Sequence, residues 1–476
     1  MKGQPFFCER KNMKRKSGIL MHPSTLWGEY SIGSFGRAGY EFIDFLCECG
    51  FSVWQTLPFC MTDEFNSPYK SPASFSYNPY FIDLPTLNEL GYISDSELCG
   101  ARQSGEYRCE FERLNKERVP LLLKAARTAL SDTRVREKSL SFASLNPRIS
   151  AVAEFLSKGR TDLYEEWCFL HYEFYREWQA LKGYANERGI EIAGDVPIYV
   201  CEGSSDVWEE PENFLLDENG YPTSVAGVPP DYFSTEGQLW GNPIYNYAYM
   251  QRSGFSWWRE RIRSAFSLFD ILRIDHFRGF ESYYSIPKGK SARSGEWKRG
   301  PGAALVSAIV EESRGRMLIA EDLGVIDSSV RALTDKFSLP GMRVFEFAFL
   351  DGGESEHLPH NYINNSVAYT GTHDNNTLLG YLFECSAEER GRIFDYCGYG
   401  GSDIDGALPY IIRTMAASSA GTVIFPIQDI LGHGSDTRMN TPSVASGNWG
   451  YRITRGQLDS VDRKAIYHLF KTYGRI

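Results

Sequence analysis

Three stretches of the chain place acids where an apolar strand should stop. The first is Ile271-Leu272-Arg273-Ile274-Asp275-His276-Phe277-Arg278-Gly279, in which a short apolar run ends in a carboxylate flanked by cations and a turn-permitting glycine. The second is Met317-Leu318-Ile319-Ala320-Glu321-Asp322-Leu323-Gly324. The third runs Ser366-Val367-Ala368-Tyr369-Thr370-Gly371-Thr372-His373-Asp374-Asn375-Asn376-Thr377, with a His-Asp pair at its mouth. Any one of these acids could equally be a helix cap with an incidental cation nearby. As a set they suit glycosidic-bond chemistry, which uses one carboxylate as nucleophile, one carboxylic acid to protonate the leaving oxygen, and polar groups to hold sugar hydroxyls. Arg273 stands two residues before Asp275 on the same face of a strand and would stabilise its charge. Glu321 follows an apolar run, so desolvation would favour its protonated form. Glu321 and Asp322 point to opposite faces, so only one of them can reach a cleft.

Acids at the C-terminal ends of strands are the catalytic positions of a (β/α)8 barrel. At 476 residues the chain can hold one such barrel with helical and loop insertions, and this α/β architecture is the expected fold. Phe51–Pro58 reads as the first barrel strand and Phe75–Leu84 as the second, while residues 1–20 read as a polar, basic lead-in, loose until Ile19-Leu20. Residues 1–85 thus supply the N-terminal part of the barrel. Residues 86–188 lack strand signals and form a mainly helical insertion, clearest over Leu114–Leu130 and Leu163–Tyr184. The barrel resumes in 189–476 with Ile190–Val200, whose Asp195 lies near its end. It continues through the acid-tipped strands, Pro340–Phe349 and Gly421–Asp429. Residues 201–250 are a long connection without strand signals, rich in Pro, Gly, Tyr and Asn, and that length points to function. Trp258, on a helical stretch, belongs to the core.

Read in order, Arg273–Gly279, Ala320–Gly324 and Gly371–Thr377 resemble the amylomaltases, the 4-α-glucanotransferases of glycoside hydrolase family 77. The resemblance extends from His22 to Trp449. It takes in His22-Pro23-Ser24-Thr25-Leu26, Ser67-Pro68-Tyr69, Val228–Phe233 and Gly237–Pro243. It departs at Trp27, where the family has proline, and at Cys60–Phe65, which replaces a glycine-rich turn. The resemblance implies a retaining 4-α-glucanotransferase with Asp275 as nucleophile, Glu321 as general acid and base, and Asp374 as the third catalytic carboxylate. Arg273, His373, Tyr69, Asp195, Trp240 and Asn440 are implied to bind substrate, and 201–250 to form a lid over a glucan groove. The implied donor is a maltodextrin or other α-1,4-glucan, and the acceptor glucose or a maltooligosaccharide. An α-1,4-glucan hydrolase of the amylase group would use the same carboxylates, and an inactive glycan-binding barrel would keep the same groove.

A net charge of −11 and a pI near 5.4 argue against nucleic acid or an anionic membrane as partner. Aromatics make up 14% of the chain, enough for both a large core and ring platforms against sugar faces. The ten cysteines form no C-x-x-C, the histidines no zinc spacing, and Gly300-Pro301-Gly302 lacks the Lys-Ser/Thr of a phosphate loop. No cofactor and no metal are expected. The basic N-terminus lacks a secretory apolar core, and no run approaches the ~18 apolar residues of a membrane span. A cytoplasmic protein with reduced thiols is the expectation.

Overall fold

The computed structural model describes residues 13–230, 235–324, 326–350 and 354–476. Eight parallel strands close into a barrel: β1 (Lys16–Leu20), β2 (Val53–Gln55), β3 (Glu191–Val196), β6 (Ile271–Ile274), β9 (Leu318–Ala320), β10 (Gly341–Val344), β11 (Ser366–Tyr369) and β12 (Thr422–Pro426). β12 pairs with β1 through five residue pairs and so shuts the ring. The remaining strands, β4 (Ser224–Val228), β5 (Gln238–Pro243), β7 (Ser282–Pro287) and β8 (Glu296–Arg299), form an antiparallel sheet in the order β5-β4-β7-β8.

Alternation along each barrel strand divides the core in two. Leu20, Val53, Ala193, Ile271, Ile319, Val367 and Ile424 pack together inside the barrel. Their neighbours Ile19, Trp54, Ile192, Leu272, Leu318, Ala368 and Val423 pack outward against the helices. This period of two sets which strand-end groups face the cleft.

The first barrel strand is Lys16–Leu20, inside the stretch expected to be a loose lead-in, and Val53–Gln55 is the second. Insertion between β2 and β12 buries Ser17 to Leu20 despite the basic residues before them. Phe75–Leu84 is not a strand. Pro79 has no N–H to offer a ladder, and Asn78 caps a 3-10 turn at Pro79–Phe81 by accepting from Tyr80 N. Asp83 then caps the helix Leu84–Glu89 by accepting from Thr86 N.

Between β2 and β3 lie the helices Val119–Leu130, Thr133–Leu145, Pro147–Ser157 and Thr161–Glu187, with a π turn at Leu114–Arg118. Thr161–Glu187 buries Trp167, Leu170, Phe174, Trp178, Leu181 and Ala185 at helical spacing. Trp178 reaches into the barrel's outer layer, where its Nε1–H donates to Leu268 O at 2.8 Å and its ring lies 4.7 Å from Phe59. One apolar core therefore runs from the barrel into these helices. Trp258 is fully buried in it.

The connection 201–250 is not without structure. It contributes β4 and β5, as well as the helices Ser205–Glu209 and Tyr247–Arg252. A register shift between Val225 and Gly227 and the glycines within both strands break the alternation that would mark them as strands. The residues Asp231 to Phe233 singled out in the sequence lie outside the described residues.

Candidate active site

Parity carries two strand-end acids to one place. Ile271 and Arg273 face the barrel interior, so Asp275 does too, and Glu321 follows Ile319 in the same way. A cleft opens there, lined by Asp275, Glu321, His373, Asp374, Tyr69, Trp240 and Asn440, with Trp449, Tyr199 and His276. Asp322 faces the other way. Its Oδ1 accepts from Met342 N at 2.6 Å and its Oδ2 lies 3.6 Å from Arg343 Nη1.

Arg273 is the hinge of the charge arrangement. Its Nη1 donates to Asp195 Oδ2 at 2.5 Å and its Nη2 to Asp275 Oδ1 at 3.0 Å. The Asp195 side chain is 0% exposed and that of Arg273 5%, whereas the Asp275 side chain is 28% exposed. Asp195 and Arg273, expected among the sugar-binding groups, therefore sit beneath the cleft floor and reach it through Asp275 and Tyr69. Tyr69 donates its hydroxyl to Asp195 Oδ2 at 2.5 Å and stacks on His373 with ring centroids 4.8 Å apart.

Glu321 accepts two backbone N–H groups, from His276 at 2.7 Å and Leu323 at 2.8 Å. His276 holds φ at 47°, a left-handed conformation that side chains other than glycine seldom adopt. Burial pushes the Glu321 carboxyl up to about 7, against the opposing charge of Arg273 and with the help of Asp275. Burial likewise brings His276 down to about 4, so its ring is neutral at pH 7. The geometry supplies an ion-paired carboxylate and a protonatable carboxyl in one cleft. That is the acid-and-nucleophile pairing of glycosidic-bond cleavage.

Asp374 is not a helix cap, because Thr377 caps the following helix Leu378–Glu384 by accepting from Gly380 N. Its Oδ1 accepts from Asn440 Nδ2 at 2.6 Å and lies 3.4 Å from His373 Nε2, and half of its side chain is open to the cleft. Trp240, on β5, meets His276 edge to face at 4.9 Å and donates its Nε1–H to Gln238 Oε1 at 3.0 Å. The antiparallel sheet thus brings β5 over the barrel mouth.

His276, Tyr199 and Trp449 line the cleft without having been selected from the sequence. Trp449 lies 5.9 Å from the Tyr69 ring and 6.0 Å from that of His373. Its signal was present in Gly447-Asn448-Trp449, but nothing local separates a cleft tryptophan from a core one.

A family model described as 4-alpha-glucanotransferase matches residues 21–156 and 129–458. The 4-alpha-glucanotransferase of Streptococcus pneumoniae is 40% identical, over 97% of this chain and 98% of its own length. That of Thermus thermophilus is 39% identical, over 94% of this chain and 96% of its own length. Among solved structures, amylomaltase from Streptococcus agalactiae in complex with acarbose superposes with a TM-score of 0.93. It is 35% identical, with 97% of this chain and 100% of that chain covered. Amylomaltase from Corynebacterium glutamicum, at 17% identity and a TM-score of 0.81, shares the fold, with 97% of this chain and 75% of that chain covered.

Proposed function

The chain belongs to the 4-alpha-glucanotransferases of glycoside hydrolase family 77, and from that premise we propose how its cleft divides the work. It is a transferase acting on α-1,4-glucans. Asp275 attacks the anomeric carbon of a bound glucan while the bond to the departing oxygen breaks. Glu321 gives its proton to that oxygen, leaving a covalent glycosyl-enzyme and a shortened glucan. The 4-hydroxyl of an acceptor sugar then attacks the same carbon, Glu321 takes its proton, and Asp275 leaves as a carboxylate. Asp374 and His373 hold hydroxyls of the reacting sugar, with Asn440 fixing Asp374. Tyr69 and Trp240 face sugar rings. The donor is a maltodextrin, the acceptor glucose or a maltooligosaccharide.

The observation that carries this reading is the contrast within one cleft. Asp275 is ion-paired through Arg273, while burial keeps Glu321 protonatable near neutral pH. Two displacements through an ion-paired nucleophile retain configuration and leave an intermediate that either sugar or water can resolve. The acarbose carried by the Streptococcus agalactiae relative supports a glucan-shaped groove here.

Nine described cysteines are free of disulfides, and no helix among the described residues is long and apolar enough to cross a membrane. The free thiols suit a reducing compartment such as the cytoplasm. Incubation with maltotriose tests the reading: a ladder of longer and shorter oligomers is expected. Glucose and maltose alone would make the protein a hydrolase.

A further inference from the structure

One buried acid at the barrel mouth has no part in the steps above. Glu346 lies in the turn Phe345–Phe347 after β10, and its side chain is enclosed. Its Oε2 accepts from Asn375 Nδ2 at 3.2 Å, and its Oε1 meets no hydrogen-bond partner. Its backbone N–H donates to Thr370 O at 3.2 Å, which ties the end of β10 to the end of β11. Asn375 Oδ1 accepts from Thr372 N at 3.0 Å and from Thr372 Oγ1 at 2.8 Å. Thr372 Oγ1 in turn accepts from Asp374 N at 3.2 Å. A continuous series of bonds therefore runs from the Glu346 carboxyl to the backbone of Asp374. A Cβ added to Gly371 would stand 2.7 Å from Glu346 Oε1, so the turn rests directly on the carboxyl.

We propose that Glu346 is a positioning residue: through Asn375 it fixes the Gly371–Asn375 turn that presents Asp374 to the reacting sugar. The inference rests on the role given to Asp374 above. Asp429, Glu384 and Arg438 face Glu346, as do Tyr381 and Cys385 from the helix Leu378–Glu384 and its end. Burial, reinforced by the charge of Asp429, holds the Glu346 carboxyl well above the usual range, and Arg438 does not offset it. A neutral acid suits this place: a buried carboxylate with one neutral donor and one orphaned oxygen is costly. An amide, equally neutral and of the same shape, therefore fills the role, while a hydrocarbon of similar size cannot receive the Asn375 bond.

The test compares Glu346→Gln, Glu346→Leu, Asn375→Ala and Asp374→Asn by kcat and KM for maltotriose disproportionation and by thermal midpoint. Glu346→Leu and Asn375→Ala are each expected to lower kcat by about tenfold or more with KM within about twofold, since a small misplacement of a reacting group is costly. A double variant combining Glu346→Leu with Asn375→Ala should be no worse than the poorer single, because both cut the same series of bonds. Glu346→Gln should keep kcat within about twofold of the parent, as its amide still accepts from Asn375. An unchanged kcat in Glu346→Leu, multiplicative losses in the double, or a Glu346→Gln as poor as Glu346→Leu would each overturn the inference. If Glu346→Leu does not fold, Asn375→Ala and Glu346→Gln decide it alone. An active Asp374→Asn would instead refute the role of Asp374, whereas its loss beside an unaffected Glu346→Leu and Asn375→Ala would refute only the positioning.

Discussion

Asp275 and Glu321 carry the same functional group, and their surroundings make them different reagents. Asp275 meets the Arg273 guanidinium at 3.0 Å and keeps more than a quarter of its side chain in water. Glu321 is partly buried at the cleft wall, and two backbone N–H bonds recover only part of what its charge loses there. Asp275→Asn should therefore bind maltodextrin, followed by calorimetry, yet lose more than about a thousandfold in turnover, because no covalent intermediate can form. Turnover above that level would remove Asp275 from the nucleophile's place. For Glu321 the sign is set by its being pushed up to about 7: in the proposed role the protonated form delivers the proton, so kcat should fall as pH rises through about 7. Glu321→Gln should fail on maltotriose but still release a burst of fluoride from a glycosyl fluoride, whose leaving group needs no proton. Absence of the burst would show that Glu321 has some other duty.

At the scale of elements, the antiparallel sheet gives a transferase what a bare barrel lacks. A glycosyl-enzyme must outlast the arrival of an acceptor sugar while water competes for it. β5 carries Trp240 over the cleft and against His276, the residue whose N–H holds Glu321. A ring at that place crowds out water and offers a platform to an acceptor sugar. Trp240→Ala should raise the ratio of glucose released to glucan transferred, measured on maltotriose, more than it lowers total bond cleavage. An unchanged ratio accompanied by a lower thermal midpoint would mean that Trp240 serves packing alone.

At the scale of the whole molecule, the barrel is closed by a strand near one end of the chain and latched from near the other. Arg475, almost wholly buried, donates to Ala416 O at 2.7 Å, Lys16 O at 3.0 Å, Ser418 O at 3.0 Å and Ala420 O at 3.1 Å. Arg15 shares two of these carbonyls, at 2.8 Å from Ser418 O and 3.0 Å from Ala416 O. The two guanidiniums satisfy the carbonyls where the helix Ile404–Ala417 ends and β12 begins beside β1. Arg475→Met should cost about 3 kcal/mol or more, since it removes several charge-assisted bonds and strands their acceptors. Urea unfolding measures this, and kcat well below the transition should stay unchanged because the latch lies far from the cleft. An unshifted midpoint would show that β1 and β12 hold without it.

Alternation, a local pattern, put Asp275 on the face of Arg273 and allowed only one of Glu321 and Asp322 to reach the cleft, while the choice of Glu321 came from the family resemblance. Strand-end acids and apolar runs were enough for the barrel as a fold class, because such runs survive in the sequence whatever their partners, but not for every strand in it. β1 was not legible: Lys16–Leu20 is a strand because β2 and β12 bury it, and β12 arrives some four hundred residues later. The antiparallel sheet was hidden for the same reason, with β4 pairing to β7 across sixty residues of chain and glycine interrupting its pattern. The depth of Asp195 and Arg273 likewise required β3 and β6 side by side. Local chemistry decides which way a side chain points. What that side chain meets there, and so whether a carboxyl stays charged, depends on distance and burial that only non-local pairing creates.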